Sequence, residues 1–196
     1  MRRHNHRGAG SKRMAGLMAF VLILCAAPAR ALTTAEHSFD ELVALSEQIL
    51  VGTVTDIASA WGQGREAGTI FSTIRLNAIE TIKGPAPDGA YTLKVIGGVV
   101  GDQAQFYPGL PQFQSGQRYL LFIRGNRRAM FPITGVTQGF YRVQWDSRAE
   151  RLLAVPANGG GSVALGRSLH GHADQGRGRP LQGLISDIRA SMVRGE

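Results

Sequence analysis

Residues 69–83 read TIFSTIRLNAIETIK, and their alternation decides the fold class. Ile70, Ile74, Leu76, Ala78 and Ile82 share one parity with Ser72 and Glu80, while Thr73, Arg75, Asn77, Thr81 and Lys83 hold the other. Side chains of a strand point alternately to the two faces of a sheet, so a period of two predicts a long strand with one face buried. Just before it, residues 61–68 (WGQGREAG) are turn chemistry and predict a glycine-rich hairpin loop. The run Ile49-Leu50-Val51-Gly52-Thr53-Val54 beyond that loop is apolar and β-branched, a second strand.

Further strands are expected over residues 91–96, 117–124, 131–134, 139–145 and 152–155. Residues 84–89 and 108–111, rich in Pro and Gly, supply turns between them. Because no long helix separates these strands, a parallel βαβ sheet is disfavoured and an all-β barrel or sandwich is expected. Two helices flank the strands. Ser38 and Glu41 form a capping box ahead of Leu42 and Val43, which predicts a short helix over residues 39–47. Pro180 suits a first helical position, and Leu181, Leu184, Ile185, Ile188 and Met192 then fall on one stripe of a second, amphipathic helix.

The ends of the chain carry a different texture. Arg2, Arg3, Arg7, Lys12 and Arg13 precede an apolar run from Met14 to Ala27, and Ala29-Arg30-Ala31 has the small alternate residues of a signal-peptidase site. The run is shorter than the roughly 20 apolar residues needed to span a bilayer. An exported protein, periplasmic or extracellular and without a stable membrane anchor after cleavage, is expected. The domain plan is a signal peptide over residues 1–31, a β-barrel domain over 32–156, a glycine-rich flexible linker over 157–179 and a C-terminal helix over 180–196.

Composition changes meaning once the leader is set aside. Six of the 22 Lys and Arg fall in residues 1–31, which hold no acid, so the remaining 16 bases face 14 acids. The basic pI of about 10.5 therefore owes much to the leader, and nucleic acid is not an expected partner. The only cysteine, Cys25, lies in the apolar run. The mature chain then has no disulfide framework, cysteine nucleophile or thiolate metal site.

Candidate chemistry is sparse. Gly62-x-Gly64-x-x-Ala67 has the letters of a dinucleotide fingerprint, but a strand comes after it where a helix N-terminus is needed. Residues 97–101 (GGVVG) lack the Lys-Ser or Lys-Thr pair of a phosphate-binding loop and read as a bulge or tight corner. His170, His172 and Asp174 have metal-ligand types at alternate positions, yet no predicted element fixes them, so they are read as solvated. No Gly-x-Ser-x-Gly elbow is present. Arg124, Arg127 and Arg128 are read as a charged turn guarding a sheet edge. No catalytic residue, metal ligand or cofactor is assigned.

The loop over residues 101–114 is the favoured binding surface. Phe106, Tyr107, Pro108, Leu110 and Phe113 lie there, and loop aromatics either plug a barrel end or anchor a partner. Tyr107 is expected to be exposed and Phe113 structural. An exported, non-catalytic binding module is the favoured reading. The alternative is a cell-envelope hydrolase or metal-dependent enzyme using the residue 170–174 cluster.

Several motifs between Leu42 and Val143 carry a family resemblance: Val51-Gly52-Thr53-Val54, Trp61, Lys83-Gly84, Gly97-Gly98-x-x-Gly101, Pro108-Gly109-Leu110-Pro111-x-Phe113 and Gly116-x-x-Tyr119-Leu120-Leu121-Phe122, then Gly135-x-x-Gln138-Gly139. In this order they resemble an uncharacterised family of short exported bacterial proteins. The resemblance implies an OB-like, closed antiparallel barrel of the kind seen in netrin modules and tissue inhibitors of metalloproteinases. It also implies a role beside secreted matrixin-type proteases, as partner or inhibitor. The animal inhibitors chelate zinc through an N-terminal cysteine, whereas position 32 here is Leu.

Overall fold

A computed structural model of the chain describes residues 37–156 and 178–195. The expected leader and the His170, His172 and Asp174 cluster lie outside the described residues, as does most of the expected linker. In chain order the elements are α1 (Phe39–Leu45), β1 (Gln48–Trp61), β2 (Ile70–Lys83), β3 (Tyr91–Ile96), β4 (Gly98–Val100), β5 (Gln103–Gln105), β6 (Arg118–Ile123), β7 (Phe140–Asp146), β8 (Arg151–Pro156), β9 (Arg179–Pro180) and α2 (Leu181–Arg194). The described residues are mainly β, with two α-helices. Among the described residues no helix is long and apolar enough to cross a membrane.

Seven strands pair antiparallel in the order β3-β2-β1-β6-β7-β8-β9, and β4 and β5 form a separate hairpin. The first half of β1 lies between β2 and β6 and is buried on both faces. Ile49 and Val51 join Leu120 and Phe122 under the two helices. Leu50 and Val54 point the other way, into a second cluster with Ile74, Leu76, Leu93, Tyr119 and Leu121. A residue buried on a strand between two such clusters contributes about 1.5–3 kcal/mol, which makes this stretch the spine of the core.

Local chemistry explains the helices. Ser38 Oγ accepts from the Glu41 amide, and the Glu41 carboxylate accepts from the Ser38 amide at 2.8 Å, so the expected capping box forms. At the other end of α1, Lys83 Nζ donates to the carbonyls of Val43 and Ala44. The apolar stripe of α2 packs on the sheet of its own chain, with Leu181, Leu184, Ile185 and Ile188 buried. Asp40 ties the helices together: it accepts from Ser191 Oγ at 2.6 Å and from Arg194 at 2.8 Å. These bonds, that from Ser191 foremost, hold its carboxyl below the usual carboxylate range.

Four expectations need correction. The long alternation of β2 holds from Ser72 to Leu76 but fails at Phe71, which is buried, and at Ala78, which is exposed with φ +51°. Two β2 residues there face one on β1, since Val51 pairs with Glu80 and Thr53 with Asn77. This bulge reverses the parity of the residues beyond it. Residues 131–134 form no strand; Ile133 makes one isolated bridge, to Ile123. Residue 132 is Pro, which has no N–H to give a ladder. Arg179, expected in the linker, lies in β9 and pairs with Ala154.

The fourth correction concerns the closed barrel. Among the described residues no ladder joins β3 to the far end of the sheet, so the expected closed barrel is not found. The outer edge of β3 is finished instead by the connection after β6. Asn126 Oδ1 accepts from the Lys94 amide at 3.2 Å, and Asn126 Nδ2 donates to the Thr92 carbonyl at 2.8 Å. Met130 then accepts from the Ile96 amide at 2.7 Å. A side-chain amide thus does the work of a peptide group along an edge that would otherwise invite pairing. Asn126→Ala is expected to cost about 1–3 kcal/mol, because it orphans two backbone groups. Amide hydrogen exchange should show Lys94 losing protection while Leu121 keeps it. Unchanged exchange at Lys94 would mean that the side chain does not cover this edge.

Candidate functional site

The candidate site is a cleft of about 360 Å³ on the sheet face that carries the Leu50 and Val54 cluster. Its floor comes from β1 and β2, where Ile57 pairs with Ile74 and Ser59 with Ser72. The β4–β5 hairpin and the connection beyond it form the opposite wall. Of the residues expected to bind, Phe106, Tyr107, Leu110 and Phe113 all line this cleft. Pro108 is exposed and outside the lining.

Two anchors suspend the residue 106–112 segment. Gln105 holds its beginning: Oε1 accepts from the Ile70 amide at 2.7 Å and Nε2 donates to the Gly68 carbonyl at 2.9 Å. Tyr119 holds its end, because its buried hydroxyl accepts from the Gln114 amide at 3.0 Å. Burial pushes the pKa of that hydroxyl up. Phe113 packs against Tyr119 and Phe140, with ring centroids 5.3 and 4.9 Å away in edge-to-face geometry. Such pairs add about 0.5–1.5 kcal/mol each beyond area burial. Phe106 is 58% exposed and Tyr107 40% exposed, so the wall between the anchors presents its aromatic groups to solvent.

The hairpin crosses the sheet through two consecutive glycines. Gly97 has φ +95° and Gly98 φ +137°, conformations that side-chain-bearing residues rarely adopt. A Cβ on Gly98 would stand 2.3 Å from Ser72 Oγ and 2.4 Å from Ser59 Oγ. The missing side chain is what lets the strand pass over this serine pair. Ser72 Oγ donates to the Gly97 carbonyl at 2.7 Å and lies 2.8 Å from Ser59 Oγ. Among the described residues the cleft lining contains hydroxyls, amides and apolar groups, with no acidic, basic or imidazole side chain.

Sequence reasoning locates the loop but reads its first residues as irregular. Val100-Gly101-Asp102-Gln103 is in fact a two-residue hairpin, with Val100 paired to Gln103 and Gly101 at φ +57°. A Gly-Asp pair between short extended runs is a recognised hairpin signal. Ser59, Gly98 and Gln105 also escape it as site residues, whereas Ser72 stands out as a polar residue on the buried parity. Trp61, expected in the hairpin loop of residues 61–68, ends β1 and is 41% exposed. Tyr141 packs toward α1, its ring 6.1 Å from Phe122. Arg128 pairs with Glu47 at 2.6 Å. Among the described residues no three His, Cys, Asp or Glu stand together as a metal site would need.

Substitution separates the anchor from the exposed aromatic. Phe113→Ala is expected to cost about 3 kcal/mol in urea unfolding, as a large-to-small change in packed surroundings. Tyr107→Ala is expected to stay within about 1 kcal/mol of the parent. An equally large loss at Tyr107 would make that ring part of the core and remove it from the binding surface. Comparison of the chain with protein-family models, with curated proteins and with solved structures finds no match.

Proposed function

We propose that this chain is an exported, non-catalytic binding module on an OB-like, partly open roll, and that it holds a protein partner at the cleft. The observation that supports this reading is the placing of exposed apolar side chains. Among the described residues seven large hydrophobic side chains are exposed, and Trp61, Val99, Phe106, Tyr107 and Met130 are five of them. All five belong to segments that bound the cleft. Trp61 pairs with Ile70 at the end of β1, and the Met130 carbonyl binds the last residue of β3. Concentrated exposed apolar surface marks interaction sites, whereas scattered single residues do not.

The character of the lining favours holding over chemistry. Proton transfer is most often carried by an imidazole or a carboxylate; among the described residues the lining holds neither, and its one titratable side chain is the phenol of Tyr107. A secreted matrixin-type protease is the proposed partner, on the motif resemblance between Leu42 and Val143. The alternative of a hydrolase gains no support from the cleft.

Protein taken from the exported fraction, expected to start at Leu32, would be titrated onto a purified matrixin-type protease. Replacing Phe106 and Tyr107 together by Ala is expected to weaken binding about 30-fold or more, as for loss of true anchors. Binding unchanged in that variant would overturn the cleft as the interface. Parent protein that does not bind the protease would overturn that choice of partner.

A further inference from the structure

The hydrogen-bond direction at the cleft floor defines the kind of group that can enter. The Gly97 carbonyl only accepts, so the single hydroxyl proton of Ser72 is committed to it at 2.7 Å. The contact between Ser59 Oγ and Ser72 Oγ, 2.8 Å long, must then be donated by Ser59. Both hydroxyl protons are spent inside the protein. Ser72 is buried, whereas Ser59 is part-exposed and lines the cleft. What Ser59 has left to offer is lone pairs, so this floor can accept a hydrogen bond and cannot give one.

Resting on the binding reading above, we propose that the cleft takes a tryptophan or tyrosine side chain of the protein partner, with its N–H or O–H donated to Ser59 Oγ. An aromatic body suits a space of about 360 Å³ walled by Ile57, Ile74, Val95 and Phe113. A charged group would find no counter-ion among the described lining side chains, none of which is acidic or basic. A phenyl or aliphatic group would leave the lone pairs of Ser59 Oγ without a donor once water was displaced. The exposed Val99 and Phe106 of the lining continue the apolar surface outward, which fits a side chain carried on a larger body better than a free small molecule. Gly98 keeps the approach open, because a Cβ there would stand 2.4 Å from Ser59 Oγ.

The test is a set of NMR titrations of the ¹⁵N-labelled protein, monitoring the amides of Ile57, Ser59, Gly97 and Gly98. The probes are N-acetyl-tryptophan amide, its 1-methyl-indole analogue, which lacks the donor, and free indole. The parent indole compound is expected to bind about five- to tenfold more tightly than the methylated one, the margin of one hydrogen bond. Ser59→Ala is expected to abolish that difference while leaving apolar binding in place. The comparison of analogues on the unmodified protein stands even if that variant folds poorly. Equal affinity of the two analogues would overturn the donor inference and leave the binding module intact. Binding of free indole without the amide-flanked compound would overturn the partner side chain as occupant. Absence of shifts with every probe would overturn the inference, whereas the binding module itself stands or falls on the protease titration.

Discussion

The bulge at Thr55 reverses the parity of β1, and the cleft depends on that reversal. In the first half of the strand the even residues Leu50 and Val54 face the core cluster of Ile74, Leu76 and Leu93. Val54 pairs with Leu76 but Asp56 pairs with Arg75, so Thr55 is an extra residue on β1. Beyond it the odd residues Ile57 and Ser59 take over the same face. A strand without this insertion would carry Ser59 to the opposite face, because one residue of slip exchanges the faces. The Thr55 hydroxyl donates to the Arg75 carbonyl at 3.3 Å, across the irregular point. A single backbone insertion thus lets one strand build a dry core at one end and a recess containing hydroxyl groups at the other.

Side-chain amides finish what the ladders leave open. Gln105 spans Gly68 and Ile70, and Asn126 spans Thr92 and Lys94. Gln138 accepts from the His37 amide and donates to the His37 carbonyl. In each case one neutral group supplies both an acceptor and a donor to a pair of backbone groups, the service a neighbouring peptide would give. This device allows the sheet to end without a ladder at β3. It also secures the wall of the cleft to the end of β2 without a continuous strand.

Much of this architecture is legible in the sequence, and the exceptions have physical causes. The strands β1, β2, β3, β6, β7 and β8 announce themselves by alternation or by apolar runs, and α1 by Ser38 and Glu41. The stripe of α2 is equally plain in Leu181, Leu184, Ile185 and Ile188. Bulges are invisible to a period-two reading, which puts Ala78 inside although it stands outside. Closure of the sheet is a long-range property to which Pro132 and Asn126 are poor local guides. The aromatic members of the site can be read as loop residues. Its polar members cannot, because Ser59 and Gln105 acquire meaning only from the register that brings Ser72, Gly97 and Ile70 beside them.

Site-specific photocrosslinking in living cells tests the location of the interface most directly. A photoreactive phenylalanine derivative would replace Phe106 in one variant and Trp145, 63% exposed on β7, in another. Crosslinks to a discrete protein from position 106, and none to it from position 145, are expected. Crosslinks from position 145 with silence at position 106 would contradict a binding site in the cleft.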